Sequence, residues 1–145
     1  MRGHALPSPA AALQFLYAFH QEAKIKEAQQ RRLPGEIAYI PQETPPLEGL
    51  GRVNRDLVQR CGERCPDQRI ATVDQDATIM ESHKQEALPT YEGKRGYQPR
   101  RAVGAETGLV LADQFRDGNV PAMLEPLNVA QAALAALPGT VREYY

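Results

Sequence analysis

A short run of residues that ends in two aspartates is the feature that most constrains this chain. Residues Arg69 to Val73 have the character of a β-strand, and Asp74 and Asp76 follow directly. Because the side chains of a strand alternate between its two faces, these acids should project from the same face. Adjacent carboxylates repel each other unless a hard cation lies beside them or one of them takes up a proton. The pair indicates metal-dependent chemistry on phosphates; the alternative is two solvated charges in a surface loop.

Length and composition restrict the class of protein. The chain has 145 residues, of which 42% are apolar and 24% charged, as expected for one globular domain. Its formal net charge of -1 argues against a strongly basic nucleic-acid-binding domain. There is no apolar run of membrane-spanning length and no secretory signal pattern, so we expect a cytoplasmic protein without a membrane partner. Cys61 and Cys65 are expected to be reduced thiols, because a structural zinc site needs four ligands.

Three helices are predicted. Ser8 should cap the first helix, which begins at Pro9 and is expected to continue to about Arg31. A proline-rich connection from Pro34 to Pro46 separates it from a second helix, Leu47 to Glu63, which has a clear apolar stripe. A third helix is expected from about Val120 to Leu137, with Asn119 as its cap. Pro126 lies inside that span and should either kink the helix or mark its true start.

The strands are predicted from Ile70 onward. A first strand spans Ile70 to Ile79, and a polar, turn-rich segment from Ser82 to Gly96 follows it. Residues Tyr97 to Ala105 and Leu109 to Phe115 form an antiparallel hairpin around Gly108. Residues Thr140 to Tyr145 have the pattern of the beginning of a fourth strand.

The aspartate segment resembles two families. Asp74-Gln75-Asp76-Ala77-Thr78 fits the D-x-D-x-T signature of haloacid-dehalogenase-like phosphatases, in which Asp74 would be the nucleophile and Asp76 the acid–base group. In that fold, however, the preceding strand is central, parallel and nearly all apolar. Here Arg69 and Thr72 interrupt it, and the predicted hairpin does not suit a doubly wound sheet.

The second resemblance covers more of the chain. From Ile70 onward, the sequence is similar to the start of the catalytic core of bacterial insertion-sequence transposases of the DDE type. The order of strand, polar loop, hairpin, R-x-G-N, helix and strand is the basis of this resemblance. The matching segments are Val73-Asp74-Gln75-Asp76-Ala77-Thr78, Lys84-Gln85-Glu86, Tyr91 to Pro99, Glu106-Thr107-Gly108 and Phe115-Arg116-Asp117-Gly118-Asn119, with Phe15 to His20 and Val53-Asn54 upstream.

This resemblance implies a fold and a chemistry. The fold class would be α/β (α+β), with a helical N-terminal region (1–66) and a partial ribonuclease-H-like core (67–145) built on an antiparallel three-strand meander and a helix. The family's first metal-binding acid would be Asp76, with Asp74 as the close alternative. The cofactor would be Mg²⁺ and the partner DNA, through terminal inverted repeats. The family is enzymatic, but only the first of its three acids is matched here. We therefore expect a truncated transposase that is inactive in strand cleavage.

The sequence also predicts a DNA-contacting cluster and self-association. Lys94, Arg95, Arg100 and Arg101 form a basic cluster interleaved with tyrosines, which would contact DNA phosphates. The alternative is a solvated rim of the hairpin. An uncovered edge of the first strand predicts self-association. A third functional hypothesis is a non-catalytic interaction module in which the helices before Ile70 are the functional part.

Overall fold

A computed structural model describes residues 8–17, 38, 40 and 42–145. The chain divides into two compact units, Met1–Pro34 and Gly35–Tyr145. In the first unit, helix α1 spans Pro9–Tyr17. The predicted cap is confirmed, because the Ala11 N–H donates to Ser8 Oγ at 3.2 Å. The predicted continuation of this helix to Arg31 lies outside the described residues.

The second helix, α2, spans Pro45–Glu63 and agrees with the prediction at its C-terminal end. It begins two residues earlier than Leu47, because Pro45 and Pro46 occupy its first turn. The N–H groups of that turn have no partner within the helix, so proline is accepted there, and the prediction that the connection extends to Pro46 is wrong by two residues. None of the described helices has the length and apolar character needed to cross a bilayer.

Short strands alternate with turns after α2, and one further helix lies among them. Helix α3 spans Pro126–Ala136. The strands in the described part of the chain are β1 (Ile70–Ala71), β2 (Val73–Ala77), β3 (Met80–Glu81), β4 (Leu88–Pro89), β5 (Arg95–Tyr97), β6 (Arg100–Gly104), β7 (Leu109–Gln114) and β8 (Glu143–Tyr144). The fold is therefore mixed α/β, with several antiparallel strands.

The strand that carries the two aspartates, β2, follows directly on β1, and the two strands have neighbours of different direction. β2 pairs antiparallel with β6, which pairs antiparallel with β7. β1 pairs parallel with β8. Thr72 alone separates β1 from β2, and its carbonyl continues the pairing toward β6 by accepting the Ala105 N–H at 2.9 Å. The lateral order is thus β7, β6, the β1–β2 line, and β8.

The predicted first strand, Ile70 to Ile79, is interrupted at Thr72. Its backbone N–H donates to the carboxylate of Glu106, at 2.8 Å to Oε1 and 3.1 Å to Oε2. A side chain of the hairpin turn therefore replaces the backbone carbonyl that an unbroken ladder would provide. The hairpin around Gly108 is confirmed, and this glycine has a φ of 67°.

A further sheet of three short strands occupies the segment that was predicted as a polar loop, together with the flanking residues. It has the order β3, β5, β4, with both pairs antiparallel. The predicted strand from Tyr97 to Ala105 is consequently two strands, β5 and β6. Gly118 packs closely against this sheet, since a Cβ there would lie 2.6 Å from the carbonyl oxygens of both Gly96 and Leu88.

Both α2 and α3 contribute to one apolar core on one face of the β2–β6–β7 sheet. The buried residues of this core are Val58, Ala102, Leu111, Val129, Ala133 and Ala136. Val58 belongs to α2, which the predicted boundary at residue 66 had separated from the sheet. Pro126 marks the true start of α3, as one of the two alternatives predicted. Asn119 is not its cap; Glu125 holds that position, with a φ of 44°.

Candidate functional site

Asp74 and Asp76 lie on the same face of β2, as the alternation predicted, and both are exposed. The residues between and beside them, Val73, Gln75 and Ala77, are half-buried. Val73 packs against the core that the helices cover. The two carboxylates therefore project from the opposite face of the sheet, here called the acid face and defined by Asp74 and Asp76.

Gln75 fixes the strand between the two acids. Its side-chain amide donates to the carbonyl oxygen of Pro126, the first residue of α3, at 3.1 Å. Because adjacent residues of a strand point to opposite faces, a side chain held on the helix side fixes the direction in which its neighbours leave the strand. Gln75 thus ties the orientation of the acid face to the start of α3.

A charged row crosses the acid face. Asp76 is directly opposite Arg101 on β6, and Arg101 is directly opposite Asp113 on β7. All three side chains are exposed. Directly opposed residues have Cβ atoms roughly 4.5–5.5 Å apart, so the positive charge of Arg101 lies between two negative charges. The acid face consequently carries a row of two carboxylates with one arginine between them, rather than an isolated cluster of carboxylates.

The Asp76 side chain also accepts a hydrogen bond from the neighbouring backbone. Its Oδ1 accepts the N–H of the following residue, Ala77, at 2.8 Å. Consecutive backbone N–H groups of a strand point to its two edges in turn. Because Thr78 donates its N–H to the Pro99 carbonyl on the β6 side, the Ala77 N–H points to the opposite edge of β2. One oxygen of Asp76 therefore accepts a backbone N–H at the edge of β2 opposite to β6.

The four predicted DNA-contacting residues do not form one surface. Arg100 is 7% exposed, and its Nη2 donates to the Ala122 carbonyl. Arg101, the next residue along the strand, projects from the acid face. Lys94 lies 3.5 Å from Glu81, and Arg95 donates to the carbonyls of Ala87 and Gln85. Arg101 is therefore the member of the set that lies beside the aspartates, while Arg100 is a buried structural residue.

Arg116 is a residue whose structural role the sequence interpretation missed, although it lies in the R-x-G-N segment. It is fully buried. Its guanidinium donates to Gln114 Oε1 at 2.6 Å and 2.9 Å and to the Leu124 carbonyl at 2.7 Å. Burial, assisted by the charge of Arg100, lowers the pKa of Arg116. Arg116 thus anchors the segment that leads into α3. The first residue of that helix, Pro126, is held separately by the hydrogen bond from Gln75.

The described residues do not by themselves fit a complete magnesium site. No group of three or more His, Cys, Asp or Glu side chains is arranged to hold a metal ion in the part of the chain that the structure describes. The donor chemistry of Asp74 and Asp76 suits Mg²⁺, which prefers oxygen ligands, but two exposed carboxylates do not complete its coordination. No step of metal chemistry can be derived from them alone.

The comparisons found no match for this chain among protein-family models, curated proteins or solved structures. The geometry around Asp74 and Asp76 is therefore the basis for a functional assignment.

Proposed function

We propose that the chain from Ile70 onward is the opening part of a ribonuclease-H-like core of the DDE-transposase type, in which Asp76 is the first metal-binding acid. The single observation that carries this proposal is the position of the β1–β2 line, between antiparallel β6 and parallel β8. In such a core, three antiparallel strands are followed by a helix and then by a strand parallel to the first. The order β2, β6, β7, α3, β8 agrees with that path, with the short strands β3, β4 and β5 inserted between β2 and β6.

The acid face supports the same assignment. Its carboxylates lie on the β2 part of the β1–β2 line, on the side of the sheet away from the helical core. Arg101 is exposed beside Asp76 and is placed to contact a phosphate that approaches the acids. DNA is the proposed partner, and Arg101 is the proposed phosphate contact among the basic residues. Arg100 takes no part in DNA binding, because it is buried.

The alternative, a haloacid-dehalogenase-like phosphatase, is less well supported. That reaction uses the D-x-D-x-T acids on a central strand with parallel neighbours. Here β6 runs antiparallel to the strand that carries Asp74 and Asp76, over all five residues of β2. The two described helices of the unit Gly35–Tyr145, α2 and α3, both contribute to the core on the face opposite to the acid face.

We further propose that this chain alone does not cleave DNA, because the described residues supply only the first of the required acids. The test uses the full chain with Mn²⁺ as the metal probe. Paramagnetic broadening in a ¹H–¹⁵N spectrum should centre on residues 74–77 and disappear in Asp76→Asn, while supercoiled plasmid remains intact. Broadening that is absent, or that survives in Asp76→Asn, contradicts the assignment of Asp76. Plasmid nicking that Asp76→Asn abolishes contradicts the lack of cleavage.

The matched control is Asp56→Asn, on α2. Asp56 is exposed, and the substitution removes the same charge away from the acid face. Broadening of residues 74–77 should persist in this variant, so that a loss in Asp76→Asn reflects a lost ligand rather than a change in net charge.

A further inference from the structure

The side of the sheet that carries Asp76 continues beyond the end of β2. The β2–β6 pairing is extended by one hydrogen bond, because the Thr78 N–H donates to the Pro99 carbonyl at 3.1 Å. Met80 then lies opposite Tyr97 in the β3–β5 pair, which keeps the register of β2 and β6. Since alternate residues of a strand share a face, Met80 projects from the same side as Asp76.

The β6–β7 ladder adds a phenylalanine to this side. It also continues past its end, because the Gln98 N–H donates to the Arg116 carbonyl at 3.0 Å. Phe115 comes two residues after Asp113 and therefore projects from the acid face as Asp113 does. The ring centroid of Phe115 lies 5.0 Å from that of Tyr97, with an angle of 46° between the ring planes.

Met80, Tyr97 and Phe115 together are here called the aromatic platform. Met80 is 53% exposed and Phe115 is 49% exposed, so the platform presents apolar surface to solvent. A strand rises about 3.3 Å per residue, which puts Phe115 roughly 7 Å along the strand from Asp113 and from the charged row that contains Arg101. The platform and the exposed guanidinium of Arg101 are therefore neighbours on one face of the sheet.

An apolar aromatic surface beside a single exposed cation fits one unpaired nucleotide. Bases stack on aromatic side chains of this kind, but only where they are not already stacked in a duplex. The phosphate of the same nucleotide would reach Arg101. Binding of a duplex depends on many cations that neutralise its phosphates, whereas Arg101 lies between the carboxylates of Asp76 and Asp113. Stacking, rather than charge, would therefore provide most of the affinity.

We propose that the aromatic platform binds an unpaired base of a DNA strand, with Phe115 as the stacking residue and Arg101 as the contact to the phosphate of that nucleotide. This inference rests on DNA as the partner, as in the function proposed above. It adds the class of substrate, a strand that is single-stranded or frayed where it meets the acid face. A protein with an apolar surface is the rival occupant.

The test measures binding of the full chain to a labelled single-stranded DNA oligonucleotide by fluorescence anisotropy. EDTA is present, so that no metal ligand takes part. Phe115→Leu keeps an apolar side chain but removes the ring, and it should raise the Kd for the single strand about tenfold. The same oligonucleotide without bases should bind the wild type more weakly and should not respond to Phe115→Leu. A blunt-ended duplex should not respond either.

The matched control is Phe15→Leu, on α1. Phe15 is 58% exposed, and the variant makes the same change of side chain in the other compact unit. It should bind the single strand as the wild type does. The proposal is overturned if the oligonucleotide does not bind, if Phe115→Leu leaves its Kd unchanged, or if Phe15→Leu, the abasic strand or the duplex shows the same loss.

A measurement on the wild type keeps the proposal testable if Phe115→Leu does not fold. The methyl group of Met80 should change its ¹H chemical shift when the oligonucleotide is added, because a stacked base would lie against it. The methyl group of Met123 is the internal reference. It is 78% exposed and follows Ala122, whose carbonyl accepts a hydrogen bond from buried Arg100. Equal shifts of the two methyl groups, or none at Met80, would reject the platform.

The two proposals fail separately. If the platform does not bind a base, the Mn²⁺ broadening at residues 74–77 is unaffected, because it depends on Asp76. If Asp76 is not a metal ligand, binding of the single strand in EDTA is unaffected, because it depends on Phe115 and Arg101.

Discussion

The carboxylate of Glu106 accepts the backbone N–H of Thr72, at 2.8 Å and 3.1 Å from its two oxygens. This contact joins the turn of the β6–β7 hairpin to the residue that separates β1 from β2. The backbone N–H of Thr72, and after it the Thr72 side chain, lowers the pKa of Glu106. Ionised Glu106 therefore stabilises the junction between the parallel β1–β8 pair and the antiparallel β2–β6–β7 sheet more than the neutral carboxyl does.

This relationship predicts a pH dependence of stability. A carboxyl with a lowered pKa in the folded state contributes stability above its unfolded pKa, and this contribution is lost as the pH falls through the folded pKa. Glu106→Gln should therefore unfold at a lower temperature than the wild type at pH 7, and the difference should disappear below the folded pKa. Thermal melts from pH 7 to pH 2 measure it. Glu92→Gln, at an exposed turn, is the control, and a pH-independent difference for Glu106→Gln would contradict the prediction.

Two glycines of α2 should respond in opposite directions to alanine. A Cβ at Gly62 would lie 2.3 Å from Cβ of Pro138, whereas the nearest group at Gly49 is the end of the Arg52 side chain, at 3.6 Å. Gly62→Ala should lower the free energy of unfolding by roughly 1–3 kcal/mol through overpacking. Gly49→Ala should raise it by roughly 0.5–1 kcal/mol through helix propensity. Urea denaturation measures both, and equal effects would show that α2 does not meet the α3–β8 connection at Gly62.

The burial of Arg116 predicts a large cost for its removal. Arg116→Leu leaves the Leu124 carbonyl and Gln114 Oε1 without their donor, and should lower the free energy of unfolding by roughly 2–4 kcal/mol. Arg101→Leu, on the exposed face of the same sheet, should change it by less than about 0.5 kcal/mol. Denaturant titrations of the two variants provide the comparison. A small effect at Arg116 would be inconsistent with its role as the anchor of the segment before α3.

Much of the fold follows from local patterns. The apolar stripe of α2, the turn at Gly108 and the helix start at Pro126 are all local signals, and the structure retains them. The small sheet was not predicted because its strands are only two or three residues long and have no apolar alternation. The break at Thr72 depends on Glu106, which is 34 residues away in sequence, and local patterns do not report such a contact.

The candidate site was predicted in part. The shared face of Asp74 and Asp76 follows from the two-residue period of a strand, and it was predicted correctly. The same two-residue period puts Arg100 and Arg101, which are adjacent in one strand, on opposite faces of the sheet. Grouping them in one basic cluster was therefore inconsistent with the strand predicted for them. The burial of Arg116 was not predictable from local pattern, because a buried arginine is acceptable only where tertiary contacts provide carbonyl acceptors.

The β1–β2 line, whose second strand bears Asp74 and Asp76, lies between antiparallel β6 and parallel β8, which pairs with β1. Cross-strand ¹H–¹H contacts in a NOESY spectrum of the full chain test it most directly. We predict strong Hα–Hα contacts between Gln75 and Ala102 and between Ala77 and Arg100, and none between Ala71 and Tyr144, which are parallel partners. A strong Hα–Hα contact between β1 and β8, or the absence of contacts between β2 and β6, would contradict the account.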